Sequence, residues 1–243
     1  NCVFINATNS LDSFEFVKAI SGLLEKTDRE DWGARDILDM ISTYQEIVAK
    51  DEKRKEEVIG VWGELYVLNL LLKNEAAEHK VQILNGWEGR QNRTLHDFNL
   101  SATVVLEVKT SAFSDRRIHH FNGISQLIAP SNGVGYVVSV LLLHDSSGRS
   151  CHEIQMDICE HLGSERLIQE FKARIRVRGD ALCNDKHLRF SVNKFQVPKI
   201  YPFGSVPRPD FIESVCNVKF DVIFDNLDGG LPFWSFSLCT DLK

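Results

Sequence analysis

Two carboxylates and a lysine interrupt an otherwise apolar, β-rich segment, LHDFNLSATVVLEVKTS. They are Asp97, Glu107 and Lys109. Carboxylates that lie close together repel and raise each other's pKa unless a cation lies between them. Hard oxygen ligands at this density suit Mg²⁺ or Mn²⁺, and a nearby lysine can position a water or neutralise charge that develops on a phosphate oxygen. If the three side chains meet, they suit metal-assisted hydrolysis of a phosphodiester.

The local pattern predicts how these side chains would meet. Successive residues of a strand point to opposite faces, so Glu107 and Lys109 share one face of the predicted strand TVVLEVKTS, whereas Leu106 and Val108 share the other. A short connection would let the preceding strand, HDFNL, pair with it as a hairpin and bring Asp97 beside Glu107. The alternative is an ordinary exposed hairpin face, because an aspartate followed by a Glu-x-Lys pair is a common pattern.

A third carboxylate lies upstream, in a segment with helical spacing, VIGVWGELYVLNLLL. On a helix, Glu64 has Val61, Leu68 and Leu71 as neighbours, which places it within the apolar stripe. Burying a carboxylate there costs free energy unless a partner compensates for the lost water. A metal site at the sheet would compensate, and two glycines would let the helix approach closely. The alternative is that Glu64 lies at the helix rim and reaches water.

The hydrophobic pattern along the chain predicts the elements that position these residues. Helices are predicted at 10–26, 34–74, 116–129 and 151–173, the second as one helix or as two divided by the charged segment KDEKRKEE. Strands are predicted at 80–85, 95–100, 103–111 and 135–145, and short strands and Pro- or Gly-containing turns follow. This order indicates the α/β class, with a mixed sheet flanked by helices.

The composition is that of an ordinary globular protein. Of the 243 residues, 43% are hydrophobic and 26% are charged. No apolar run approaches the roughly 20 residues that cross a bilayer, so no membrane association is expected. The net charge of −6 argues against non-specific coating of nucleic acid but permits a local basic groove. The first residue is Asn, which is consistent with a trimmed N-terminus.

The six cysteines contain no CxxC pair, which favours free thiols and a cytoplasmic location. The segment CHEIQMDICEH gathers two cysteines and two histidines, but their spacing fits no common zinc site. Core cysteines beside surface histidines are the better interpretation.

Four segments in this order carry a resemblance: GVWGELYVLNLL, HDF, LEVKTS and RIHHFNGISQL. Together they resemble the PD-(D/E)XK nuclease superfamily. More closely, they are similar to a bacterial PD-(D/E)XK family known only as a domain of unknown function. The resemblance extends from about Glu56 to Leu143.

The resemblance implies a role for each matching residue. Asp97 and Glu107 match the two acidic metal ligands, and Lys109 matches the lysine that orients or activates the attacking water. Glu64 matches a helical glutamate that many members add to the metal shell. Gln126 matches a glutamine that some members place next to the active site, although it also reads as an ordinary polar helix residue. His96 stands where the motif name has proline, which is a common departure.

The resemblance also implies a restriction-endonuclease-like fold with helices on both sides of the sheet, Mg²⁺ or Mn²⁺ as cofactor, and cleavage of double-stranded DNA. We expect an N-terminal helical segment at 1–50, a catalytic core at 51–145 and a C-terminal part at 146–243 that completes or extends the core. Relatives of this kind often work in restriction or phage defence beside a helicase or ATPase and a methyltransferase. Double-strand cleavage requires two active sites, which favours a homodimer. The alternative function is a catalytically silent subunit that binds DNA or assembles a defence complex.

Two basic clusters are candidates for DNA contacts. The first follows the active-site strand and comprises Arg116, Arg117, His119 and His120, which would hold phosphates beside the scissile bond. The second lies in FKARIRVRG, where an extended chain would align Lys172, Arg174, Arg176 and Arg178 on one face. The alternatives are a solvated helix start for the first and an edge strand protected by charge for the second. If the second segment is helical, its stripe disperses.

Overall fold

The structure is a computed structural model that describes residues 18, 34–73, 75–87, 95–112, 116–183, 186, 188–192, 197–208, 219–228 and 230–233. The chain divides into two compact units, Asn1–Arg54 and Lys55–Lys243. In the first unit the described residues, 18 and 34–54, are helical. Most of the helix predicted at 10–26 therefore lies outside the described residues, and the three-part organisation remains a prediction.

The second unit contains most of the described helices and all of the described strands. The helices are α1 (Ala34–Leu72, which begins in the first unit), α2 (Ala77–Gly86), α3 (Cys151–Leu162) and α4 (Glu165–Cys183). Helix α1 runs without a break through the charged segment KDEKRKEE. The strand predicted at 80–85 is wrong, because these residues belong to α2. Adjacent Ile83 and Leu84 are both buried there, which one face of a helix allows and a strand with one buried face does not.

The single helix predicted at 151–173 is two helices. Ser150 caps the start of α3 in a reciprocal capping box with Glu153, and Gly163, in the left-handed conformation (φ 64°), follows its last residue. Helix α4 then begins at Glu165 and continues through FKARIRVRG. The segment is therefore helical, so the stripe that an extended chain would align is dispersed around a helix.

The central sheet combines parallel and antiparallel strands. Its members are β1 (Phe98–Asn99), β2 (Val104–Ser111), β4 (Val134–Arg149), β5 (Phe190–Val192), β6 (Lys199–Pro202) and β8 (Leu231–Pro232). The order is β1-β2-β4-β6-β8, with β5 also paired to β4. Only the β2–β4 pair is parallel among these strands. This mixed sheet with four flanking helices confirms the α/β class and is consistent with a restriction-endonuclease-like fold.

The segment predicted as a helix at 116–129 is also different. It contains strand β3 (Ile118–Phe121), which pairs with β7 (Phe220–Ile223) about 100 residues later, and a 3₁₀ turn at Ile124–Leu127. The pairing with β7 is a long-range contact, and it overrides the helical spacing of the segment.

The two faces of the sheet have separate cores. Leu106 and Val108 of β2 pack with apolar residues from all four helices. Val105, on the opposite face, packs with Phe121, Phe203 and other residues of β3, β6, β7 and the 3₁₀ turns. The alternation predicted for β2 is therefore present. Within the described residues, no helix is long and apolar enough to span a membrane.

Candidate active site

The pairing of β1 with β2 brings the first two carboxylates opposite each other. Phe98 pairs with Leu106 in an antiparallel register, and Asp97, the residue before this strand, lies close enough to feel the charge of Glu107. One carboxylate oxygen of Asp97 also accepts a hydrogen bond from the backbone N–H of Val108 (2.7 Å). The aspartate is thus fixed against the strand that carries Glu107 and Lys109.

Glu107 lies at the centre of a compact polar cluster. Its side chain is nearly fully buried, and its Oε1 atom accepts from Nε2 of Gln126 (2.6 Å) and pairs with Nζ of Lys109 (2.9 Å). Oε1 of Gln126 in turn accepts from Nζ of Lys109 (3.1 Å) and from the backbone N–H of Asn122 (2.9 Å). The three side chains form a closed triangle.

Gln126 is positioned by the 3₁₀ turn, and its orientation follows from its partners. Two donors point at one end of its amide, so that end must be the oxygen and the other end must donate to Glu107. The structure thus brings Gln126 into direct contact with both Glu107 and Lys109.

An aromatic ring also contacts the ammonium group of Lys109. Its ammonium nitrogen lies 4.7 Å from the centroid of the Phe121 ring, a cation–π distance. The Lys109 side chain is 11% exposed, against 3% for Glu107, so it is the more accessible of the two. Among the contacts of the described residues, two of its three N–H groups have acceptors.

Glu64 reaches the site from α1. Its neighbours Val61, Leu68 and Leu71 are buried as the apolar stripe predicts, and Glu64 itself is only 8% exposed. A rim position open to water is therefore excluded. The negative charge of Glu64 is close enough to raise the pKa of both Asp97 and Glu107.

The close approach of α1 to β2 depends on Gly63. A Cβ atom at this position would overlap the Oγ1 atom of Thr110 on β2. We expect Gly63→Ala to destabilise the protein by about 1–3 kcal/mol, because overpacking forces neighbouring backbone or side chains to move. The free energy of unfolding in urea measures this effect.

A matched control lies three residues earlier on the same helix. A Cβ at Gly60 meets nothing within 4 Å, so Gly60→Ala should stabilise the helix by about 0.5–1 kcal/mol. Adding Thr110→Ala to Gly63→Ala should restore part of the lost stability, because it removes the overlapping hydroxyl. Equal effects of the two glycine substitutions would contradict the close approach.

The carboxylates of the site are electrostatically strained. Burial raises the pKa of Asp97 well above its usual value, and the charges of Glu107 and Glu64 raise it further. Burial likewise raises the pKa of Glu107 to about 7, against the opposing charge of Lys109. A divalent cation would relieve this repulsion, so the donor set has the chemistry that Mg²⁺ or Mn²⁺ requires.

The geometry is a facing pair of carboxylates with Glu64 nearby. In the part of the chain that the structure describes, no three His, Cys, Asp or Glu side chains already converge as a metal-binding group. Asp97 and Glu107 are therefore the main candidate ligands, and Glu64 would join them only after a side-chain movement.

The predicted DNA contacts of Arg117 and His119 do not agree with the structure. Both are only 2% exposed. Arg117 donates to the backbone oxygen and hydroxyl of Ser139 (2.9 and 3.0 Å) and to the backbone oxygen of Val197 (2.7 Å). Nε2 of His119 lies 2.7 Å from the same Ser139 hydroxyl, and burial lowers the pKa of His119 to about 3. These two residues form an internal network instead.

The other basic candidates differ in exposure. Arg116 is exposed, and His120 is exposed beside Asp221 (2.8 Å). Arg174 donates to the Trp87 backbone oxygen and pairs with Glu170.

Lys172 and Arg176 are exposed and line a cavity of about 410 Å³ against α3. Arg178 lies in α4, and its side chain is outside the described residues. Of the second cluster, Lys172 and Arg176 thus have exposed side chains, whereas Arg174 is bound to Trp87 and Glu170.

With this geometry in place, comparison with known proteins identifies the family. Residues 3–224 match the family model described as "Putative PD-(D/E)XK family member, (DUF4420)". The chain belongs to this family. No curated protein and no solved structure matches the chain.

His96 makes contacts that the sequence did not predict. His96 occupies the proline position of the motif, and it is buried against Phe203 with ring centroids 5.4 Å apart. Burial lowers its pKa. Its Nε2 atom lies 2.9 Å from the backbone oxygen of Ile128, and its Nδ1 atom lies 4.0 Å from Oε2 of Glu107. The only signal in the sequence was a histidine next to the motif aspartate.

Proposed function

We propose that this PD-(D/E)XK family member is a metal-dependent endonuclease that hydrolyses phosphodiester bonds of double-stranded DNA. The observation that carries the proposal is the closed triangle of Glu107, Lys109 and Gln126, with Asp97 opposite Glu107. Burying Glu107 beside the carboxylates of Asp97 and Glu64 costs free energy, which argues against the alternative of an ordinary exposed hairpin face. Buried groups with perturbed pKa values are typical of functional sites.

Asp97 and Glu107 would hold the Mg²⁺ or Mn²⁺ ion, and Glu64 would add negative charge beside them. When bound, the ion would polarise the phosphodiester and lower the pKa of the attacking water. The fit rests on the burial of Asp97 beside the charges of Glu107 and Glu64, which together raise its pKa.

The protein's own groups position the reacting atoms. Glu107 and Gln126 accept two N–H groups of Lys109, and the Phe121 ring supports its ammonium group. The third N–H is then directed by the other two and can donate to the attacking water or to a phosphate oxygen. Gln126 holds the side chains of Glu107 and Lys109 in fixed positions because it forms a hydrogen bond with each of them.

The biological setting extends the same proposal. We place the enzyme in the cytoplasm, in a restriction or phage-defence system with a helicase or ATPase and a methyltransferase as partners. Arg116 and His120 remain candidates for phosphate contacts because Arg116 is exposed just before β3 and His120 is exposed within it. A homodimer would supply the two active sites that double-strand cleavage requires.

Plasmid cleavage tests the proposal. Wild-type protein with Mg²⁺ or Mn²⁺ should nick or linearise supercoiled DNA, and EDTA should abolish the reaction. Glu107→Gln should lower the rate by at least about 10²-fold, because it removes the charge of a ligand while preserving its shape. Glu160→Gln, an exposed position on α3, is the matched control and should retain the wild-type rate.

Two results would overturn parts of the proposal. Undiminished cleavage by Glu107→Gln would remove the site assignment. Metal-independent DNA binding without cleavage, either alone or with partner subunits, would favour the catalytically silent subunit.

A further inference from the structure

The tautomer of His96 follows from its hydrogen bond. Nε2 lies 2.9 Å from the backbone oxygen of Ile128. A carbonyl oxygen only accepts, so Nε2 must carry the hydrogen, and Nδ1 of a neutral ring then presents a lone pair. The ring also packs against Phe203, with ring centroids 5.4 Å apart. Metal-binding histidines are commonly fixed by this kind of outer hydrogen bond to a backbone carbonyl.

The Nδ1 atom lies near one carboxylate of the site. Nδ1 is 4.0 Å from Oε2 of Glu107, while Lys109 and Gln126 contact the other oxygen, Oε1. Two ligands of one cation, with bonds of about 2.1 Å, lie roughly 3.0 Å apart as neighbours and roughly 4.2 Å apart as opposites. The separation of 4.0 Å falls between these limits, so a cation would contact both atoms after a rotation of one of the two side chains.

We propose that Nδ1 of His96 is a nitrogen ligand of the metal ion held by Glu107 and Asp97. This inference rests on the proposed metal-dependent function. It makes the site a mixed nitrogen and oxygen site, in contrast to the all-carboxylate set that the motif predicts. Imidazole favours transition-metal ions, whereas Mg²⁺ prefers oxygen ligands. His96 should therefore raise the affinity for Mn²⁺ and Co²⁺ relative to Mg²⁺.

Two substitutions separate ligation from packing. The amide of His96→Gln can reach the position of Nε2 and keep the hydrogen bond to Ile128, but it leaves no atom at the position of Nδ1. The shorter amide of His96→Asn places an oxygen or nitrogen near Nδ1 and loses the bond to Ile128. A packing role would make His96→Asn the more harmful change, whereas a ligand role would make His96→Gln the more harmful one for metal affinity.

Pulsed electron paramagnetic resonance of bound Mn²⁺ tests the proposal without reference to activity. Wild-type protein should show ¹⁴N modulation from a coordinated imidazole, and His96→Gln should lose it. His144→Gln, an exposed position on β4, is the matched control and should retain it. Calorimetric titration should show that the Mn²⁺-over-Mg²⁺ affinity ratio falls by about 10-fold or more in His96→Gln.

The outcomes distinguish this inference from the proposed function. Failure of wild-type protein to bind Mn²⁺ or Mg²⁺ at millimolar concentration would overturn both. Binding without ¹⁴N modulation in the wild type, or modulation that persists in His96→Gln, would overturn the nitrogen ligand alone. If His96→Gln fails to fold, the wild-type spectrum and the His96→Asn variant still decide the question. The ¹⁴N modulation of His96→Asn should be weaker than that of the wild type or lost.

Discussion

Replacing Lys109 with methionine should lower the rate of plasmid cleavage by at least about 10²-fold. Methionine retains an unbranched side chain that can pack on Phe121 but removes the ammonium group. That group contacts Glu107 and Gln126 and has one further N–H directed by those contacts. Removing a single positioned donor or proton-transfer group typically costs 10²- to 10⁴-fold in rate.

The loss should appear in the chemical step. Single-turnover cleavage with saturating protein isolates this step from DNA binding. Binding of uncleaved DNA in Ca²⁺ should change by less than about threefold, because Lys109 is mostly buried and supplies little surface charge. Lys73→Met is the matched control, since Lys73 is exposed at the end of α1. A Lys109→Met protein that keeps more than a tenth of the wild-type rate would remove the lysine from the chemistry.

The core of this site was predictable because strand and helix periods decide which side chains share a face. Period two placed Glu107 with Lys109, and the helical stripe placed Glu64 among Val61, Leu68 and Leu71. The position of Asp97 depended on a register that short hairpins restrict, and the Phe98–Leu106 pair has that register. Each of these inferences needs only neighbouring residues.

The errors arose where distant residues decide the structure. β3 was predicted as a helix because its partner, β7, lies about 100 residues away. The basic pattern in FKARIRVRG fitted a strand as well as a helix, and only packing of Phe171 and Ile175 against the other helices decides between them. The contact of His96 with Ile128 spans 32 residues, so no local pattern could reveal it.

The neighbours Arg116 and Arg117 show this limit most clearly. Both looked like phosphate contacts in the sequence, yet one is exposed and the other is buried. The burial of Arg117 depends on Ser139 and Val197, and its backbone N–H donates to Asp225 (2.7 Å), 108 residues later. The local sequence pattern gives the charge of a residue but not whether its side chain is buried.

Arg117→Met should therefore destabilise the protein by on the order of 3–5 kcal/mol. The substitution removes the charged donor of three hydrogen bonds to the Ser139 and Val197 oxygens, and hydrogen bonds to charged groups contribute about 1.5–3 kcal/mol each. This is a large share of the 5–15 kcal/mol that typically stabilises a folded domain. Urea unfolding followed by fluorescence of the buried Trp62 and Trp87 measures the change.

Arg116→Met is the control at the adjacent residue. Arg117→Met should change the stability of the protein, whereas Arg116→Met should change only the salt dependence of DNA binding. Its stability should stay within about 0.5 kcal/mol of the wild type, because Arg116 is exposed. If Arg116 contacts a phosphate, its loss should reduce the salt dependence of DNA binding by about one counterion, whereas the folded fraction of Arg117→Met should keep the wild-type slope. A stable Arg117→Met protein with a reduced slope would instead place Arg117 at the DNA and contradict the internal network.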